Sequence, residues 1–321
     1  MTTTGRIIVV VVAAAALLTL TVLAMHYLRP PDVPPPAGPE VVETPAAAGG
    51  PGDSPAAPPP ASAIAADLKS AHGPDAPPAP AGSAEAAADD GLAMAASGRV
   101  IQAQVRLSQA LRAGLDGPKG KAVRETLVSL ANRAQLSGAR LPDDPYSKSY
   151  EVARGDSVTR IGSKFLIPLE LVMKLNGLAS PGINAGQSLK VLQGPVNVEI
   201  FKERHELQAW IGDVCIRIYP IAVGKGNSTP EGTFVVRNKV QNPPYQPQHK
   251  ARSEHREAGA PDNPLGSRWI DIGNHYGVHG TIDPPSIGHD VSEGCIRMHN
   301  KDVEELYDLV VVGASKVIVK P

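Results

Sequence analysis

Hydrophobic residues change their spacing several times along the chain, and each change marks a different element. Ile7 to Leu28 is an unbroken uncharged run with Arg6 before it and Arg29 after it. At about 1.5 Å of rise per residue, a helix of this length crosses a bilayer. Residues 7–28 therefore read as a transmembrane anchor, or as a signal peptide cleaved after Val22-Leu23-Ala24. The run exceeds the roughly 7–15 residues of an ordinary signal core, which favours the anchor. Residues 29–98 lose all periodicity and read as a disordered linker rich in proline and alanine. Apolar residues then return at three- and four-residue steps: Val100, Ala103, Leu107, Leu111 and Leu115, and again Val123, Leu127, Leu130 and Ala134. With Gly114, Gly117, Pro118 and Gly120 between them, residues 99–138 predict a helical hairpin acting as a spacer or docking surface.

Residues 149–193 follow a different pattern. Tyr150 and Val152 alternate as a strand, and Gly155-Asp156-Ser157 turns the chain into a helix with Val158, Ile161 and Phe165 on its apolar face. Pro168 opens a second helix through Leu171, Val172 and Leu175, which Asn176-Gly177 ends. Ile183 to Val191 returns as a strand. From Val196 onward, alternation of period two dominates: Val196, Val198, Ile200; Leu207, Ala209, Ile211; then a Gly212-Asp213 hairpin turn into Val214, Ile216, Ile218. Further strands are predicted at Ile221–Gly224, around Thr233–Val236, and at Val317–Val319, with a helix over Lys301–Leu309. Asn238 to Pro261 is too long and polar for a simple hairpin loop. The fold class is multidomain, ending in a mostly-β domain over residues 195–320.

Composition sharpens the boundaries. Between Pro30 and Pro80 lie 16 of the 32 prolines, and no Phe, Tyr or Trp occurs between Tyr27 and Tyr146, so the early part of the chain cannot build a core. The formal net charge of -1 gives no basis for nucleic acid as a partner. Cys215 and Cys295 are the two cysteines. In an exported chain they could form a disulfide, but their contexts differ. Cys215 sits in a strand pattern, where a small buried thiol is the simpler reading.

The chemistry concentrates in His279-Gly280-Thr281 and Ser292-Glu293-Gly294-Cys295-Ile296-Arg297. A thiol near pKa 8.5 is a poor nucleophile unless something takes its proton, and His279 is the candidate, since imidazole titrates near neutrality. Gly294 permits close backbone approach, and the N–H groups of Gly294 and Cys295 could face an oxyanion. A zinc site is the rival, because His275, His279, His289, Cys295 and His299 fall within one short segment. No Cys-x-x-Cys or His-Glu-x-x-His spacing supports it, and no metal is expected.

These residues resemble the catalytic motif of bacterial L,D-transpeptidases (the YkuD-like domain). So do Thr229-Pro230-Glu231-Gly232-Thr233-Phe234 and the Asn263-Pro264-Leu265-Gly266 and Trp269-Ile270 stretch. The resemblance implies Cys295 as nucleophile and His279 as base, held by the Gly280 carbonyl. It also implies Arg297 and Ser292 at the substrate-binding loop, and no cofactor. Many relatives carry histidine where this chain has Glu293, and a carboxylate there would raise the thiol pKa if both faced one cavity. The strand-helix-helix-strand unit, with its Gly-Asp turn and Gly186-Gln187-Ser188-Leu189 return, resembles a LysM domain. That implies a glycan groove at Gly155, Asp156, Ser157 and Ile183, or a packing module without sugar affinity. The implied function is peptidoglycan L,D-transpeptidation between stem peptides, with release of D-alanine. Carboxypeptidase action, attachment of a wall protein, or a non-catalytic wall-binding scaffold are the alternatives. The implied place is the bacterial envelope, with the chain anchored in the inner membrane, its catalytic domain in the periplasm, and glycan strands as partners.

Overall fold

The computed structural model describes residues 82–247 and 251–321. The apolar run at 7–28, and the linker as far as residue 81, lie outside the described residues. Among the described residues, no helix is long and apolar enough to cross a membrane.

Three helices come first: α1 (Gly82–Ala96), α2 (Val100–Arg112) and α3 (Gly117–Arg133). The expected disorder of 29–98 therefore fails at its end. Past Pro80 the chain becomes alanine-rich, and alanine is the best helix former. The small side chains of Ala87 and Ala88 bury against α2, and Asp90 and Asp89 pair with Arg106 (2.7 Å) and Lys119 (2.9 Å). Absence of aromatics suggests absence of a core, yet the buried methyl groups of Ala84, Ala87 and Ala88, with Leu92 and Met94 partly buried beside them, pack this helix.

The LysM-like unit is β1 (Ser147–Glu151), α4 (Val158–Phe165), α5 (Leu169–Leu175) and β2 (Ser188–Leu192), with β1 and β2 antiparallel. Ser157 caps α4 by accepting the Arg160 N–H (3.2 Å). Asn176 does more than end α5. It donates to the carbonyls of Val172 and Lys190 (2.8 Å each) and accepts the Lys190 N–H (2.7 Å), tying the helix end to β2. Lys190 itself is buried and donates to the Ala134 and Ser137 carbonyls (2.5 and 2.9 Å), capping the chain that leaves α3.

The remaining chain forms β3 (Val196–Phe201), β4 (Glu206–Ile211), β5 (Val214–Pro220), β6 (Val223–Gly224), β7 (Gly232–Val235), β8 (Asn238–Gln241), β9 (Arg268–Gly273), β10 (Tyr276–His279), β11 (Asp290–Ser292), β12 (Ile296–Arg297), α6 (Asn300–Leu309) and β13 (Lys316–Lys320). One sheet runs β5-β4-β3-β13-β7, a second β12-β10-β9-β8, and β6 pairs with β11. The polar stretch from Asn238 is not loop throughout: Asn238–Gln241 is a strand paired with β9. Beyond it, Asn263 Nδ2 donates to the Pro243 carbonyl (2.7 Å) and closes the base of the loop.

The helices are not a spacer. Ser108 of α2 accepts the Cys215 N–H (3.0 Å), Arg112 lies 4.0 Å above the Trp210 ring, Arg124 pairs with Glu206 (2.7 Å) and Arg217 reaches Asn132 (2.6 Å). α2 and α3 thus cover the β4–β5 end of the first sheet. A chain shortened to residues 149–321 uncovers Trp210, which costs about 3 kcal/mol or more. For a domain of this size that is a fall in melting temperature of about 10 °C, with red-shifted tryptophan emission. An unchanged melting curve would restore the spacer reading.

Candidate active site

Two strands distant in sequence bring the site together. β10 pairs in parallel with β12, Val278 opposite Ile296 and His279 opposite Arg297. One step back along both strands sets Cys295 beside Gly277. On its other side β10 pairs with β9, which carries Trp269 opposite His279. The Trp269 and His279 rings stack with centroids 5.7 Å apart at 25°.

His279 is buried, and its Nδ1 donates to the Gly280 carbonyl (2.6 Å). A carbonyl can only accept, so Nδ1 carries the proton and Nε2 keeps a lone pair. Asn300, at the start of α6, holds the following turn. Its Oδ1 accepts the Thr281 and Ser267 N–H groups (3.1 and 3.2 Å), and its Nδ2 donates to the Thr281 carbonyl (3.0 Å). Any side chain at Gly280 would collide with that amide. Burial drives the His279 pKa down to about 4, aided by the Arg297 charge and opposed by the backbone of Gly280 and Leu265. The expectation of an imidazole titrating near neutrality is thereby corrected: it rests neutral.

That shift has a stability consequence. The unfolded chain takes up a proton at His279 near pH 6.5, while the folded chain resists until about pH 4. Stability from this group is complete above pH 6.5 and is lost as pH falls toward 4, by about 3 kcal/mol in all. His279→Gln is expected to flatten the melting-temperature profile between those values, read by calorimetry at stepped pH. Parallel profiles would refute the buried neutral imidazole.

The cysteine loop is wired from within. Ser292 Oγ donates to the Cys295 carbonyl (2.6 Å) and accepts the Gly294 N–H (3.1 Å). The Gly294 N–H is therefore committed, which corrects its expected use toward an oxyanion. Gly294 has φ +130°, and a Cβ there would lie 2.7 Å from the Tyr276 ring. The Cys295 thiol is half-buried, and its Sγ lies 3.9 Å from the His275 carbonyl. Burial raises its pKa. The Gly277 backbone and Arg297 act the other way, and Glu293 adds a last upward push. Glu293 is exposed, so the effect feared from sequence is present but least among the causes. Burial thus favours the neutral thiol and the neutral imidazole.

Of the other histidines, His275 (φ +64°) gives its carbonyl to the cysteine loop, the His289 carbonyl accepts the Val223 N–H (3.2 Å), and His299 precedes α6, its carbonyl accepting the Asp302 and Val303 N–H groups. Among the described residues no set of three or more His, Cys, Asp or Glu side chains gathers to hold a metal. Cys215 is a free, fully buried thiol whose pKa burial pushes far up, so the disulfide alternative does not form. A cleft of about 420 Å³ is lined by Lys202, His205, Gly224, Glu231 and Asp290 among others, and Cys295 is not one of its lining residues.

In the LysM-like unit, Gly155 (φ +87°) makes the turn after β1. Asp156 is spent on Tyr150 Oη (2.7 Å) and the Ala153 N–H (2.9 Å), and Ser157 on its helix cap. Ile183 packs partly buried against the core. Sequence reasoning overlooked the roles of Thr229, Trp269, Tyr276 and Asn300. Thr229 and Trp269 lay in motifs already singled out, while only tertiary contact reveals Tyr276 and Asn300.

The sequence pattern of the L,D-transpeptidase catalytic domain (YkuD) matches residues 195–319, and that of the LysM domain matches residues 150–192. YkuD of Bacillus subtilis (strain 168) is 34% identical over 179 residues, covering 53% of this chain and 98% of its own. YqjB of the same organism is 40% identical over 134 residues, covering 40% of this chain and 73% of its own. The solved structure of an L,D-transpeptidase from Mycobacterium smegmatis aligns at 21% identity and TM-score 0.34, over 44% of this chain and 65% of its own.

Proposed function

Because the chain belongs to the L,D-transpeptidase family, with a LysM domain ahead of the catalytic domain, we propose that Cys295 acylates itself on a peptidoglycan stem peptide. The thiol proton passes to His279 Nε2 as Sγ attacks the carbonyl between the third residue's L-centre and the terminal D-alanine. The carbonyl π electrons move to oxygen, return, and break the C–N bond. The departing D-alanine amine takes the proton from His279, leaving a thioester on Cys295. An amine of a neighbouring stem then attacks the thioester carbonyl, giving up a proton through His279 and expelling the thiol. The product is a crosslink between two third residues.

The observation that carries this reading is the His279 imidazole. It is fixed by the Gly280 carbonyl on the strand that pairs beside Cys295, with its second nitrogen free of a proton. Arg297 supplies a fixed positive charge opposite His279, suited to a substrate carboxylate. The LysM domain supports binding to wall glycan, and association with the cell envelope follows from both domains. Retention of residues 7–28 as an inner-membrane anchor, with the catalytic domain in the periplasm, agrees with that destination.

The test is the full chain incubated with tetrapeptide muropeptides and followed by mass spectrometry. Dimers with D-alanine loss, both absent from Cys295→Ala, are expected. D-alanine loss without dimers would make water the acceptor and the activity an L,D-carboxypeptidase. No Cys295-dependent product or adduct from folded protein would leave a wall-binding scaffold.

A further inference from the structure

Thr229 is 1% exposed and its hydroxyl joins two segments of the site. Its Oγ1 accepts the Gly224 N–H (2.7 Å) at the end of β6 and donates to the Gly294 carbonyl (2.9 Å). β6 is already paired with β11, Ser292 opposite Gly224, so the hydroxyl closes the one turn that the ladder does not reach. Lys202 holds the far side of the same segment through Asn227 and through Glu231 (2.6 Å).

The bond to Gly294 matters because a peptide group is planar and trans. Its C=O and the next N–H lie on opposite edges of one rigid plate. With the Gly294 carbonyl held by the buried Thr229 hydroxyl, the Cys295 N–H occupies the opposite edge of that plate, away from Thr229. The Gly294 N–H serves Ser292, so the loop's remaining backbone donor beside the sulfur is that of Cys295. β-Branching restricts the Thr229 side chain to few rotamers, which fixes the plate's rotation.

We propose that Thr229 is a positioning residue: it clamps the Gly294–Cys295 peptide so that the Cys295 N–H meets the oxyanion formed when Sγ adds to a carbonyl. The inference rests on the acyl-transfer reading above. As the C–S bond forms, the carbonyl π pair moves to oxygen, and that charge is what the N–H receives. Alkylation of the same sulfur by iodoacetamide displaces iodide at a saturated carbon and develops no oxyanion. The two reactions therefore separate positioning from simple support of the loop.

The experiment compares the full-length protein with Thr229→Val and Thr229→Ser. It measures the rate of Cys295 acylation by the carbapenem meropenem, the rate of alkylation by iodoacetamide, and the melting temperature. In Thr229→Val, acylation is expected to slow by about 10- to 100-fold, somewhat less than loss of a whole oxyanion donor. Alkylation should stay within about twofold, and Thr229→Ser should recover most of the acylation rate. Equal loss of both rates in Thr229→Val, or unchanged acylation, overturns the proposal. If Thr229→Val does not fold, Thr229→Ser decides alone: wild-type alkylation with acylation lost would refute a hydroxyl clamp, and both retained would support it. Wild-type protein that alkylates but never acylates would sink the acyl-transfer reading and this inference with it.

Discussion

Replacing Cys295 with alanine is expected to remove crosslinking and D-alanine release altogether, a loss of at least about a thousandfold set by the assay floor. The prediction is strong because no second nucleophile can substitute. Cys215 is the other thiol, but it lies fully buried behind α2, with its N–H on Ser108 and its sulfur facing the Arg217 carbonyl (3.4 Å). Burial also holds it protonated. Intact-mass analysis should therefore show one carbapenem adduct per chain, on the peptide containing Cys295. Cys295→Ser should fold as the wild type does and yield no adduct on the assay timescale, because a hydroxyl holds its proton far more tightly than a thiol. An adduct on Cys215, or turnover surviving in Cys295→Ala, would be incompatible with the site described.

The two residues proposed as nucleophile and base were singled out because such chemistry leaves a mark in sequence: a histidine beside a turn glycine, and a cysteine after a glycine that permits close backbone approach. The Gly280 carbonyl, inferred from family resemblance, is indeed the partner of His279 Nδ1. The strands were legible from period-two alternation, and β3 to β5 fall where it places them. Three features were not. The oxyanion role given to Gly294 failed because spacing cannot show that Ser292, two residues back, already takes its N–H. The pKa of His279 could not be read because it depends on how completely β9 and Trp269 cover the ring. And α1 was missed because a weakly amphipathic alanine helix looks in composition like the end of a disordered linker; what orders it is packing on α2.

The covering helices also change the meaning of domain order. Arg217 of β5 reaches Asn132 of α3 and pairs with Glu305 of α6 (2.9 Å), and Tyr219 donates to the same carboxylate (3.0 Å). α6 begins at Asn300, whose amide holds the turn after His279. One chain of hydrogen bonds thus joins the helical segment, the first sheet and the turn after His279. The LysM domain is clamped to the same helices through Lys190. Modules that sequence presents as beads are packed into a continuous core.

His279→Gln should reduce acylation of Cys295 at pH 7 by about 10²- to 10⁴-fold, the range for removing a general base. Glutamine keeps a donor for the Gly280 carbonyl but cannot take a proton. The pH dependence distinguishes this from a packing defect. In the wild type the reactive form has neutral His279, so the rate should fall only as pH drops through about 4, where the imidazole protonates. Above that the rate should hold level, because base and thiol are both in their working forms. Without the base, attack depends on thiolate formed in solution equilibrium. Burial raises the Cys295 pKa, so the thiolate is scarce at pH 7, and the residual rate should climb about tenfold per pH unit toward that pKa. Rates would be measured between pH 4 and 9 with protein shown to be folded at each point. A wild-type acid limb near 6.5 would mean that the imidazole is not buried in the reacting state. A variant with the same level profile as the wild type would remove His279 from proton transfer.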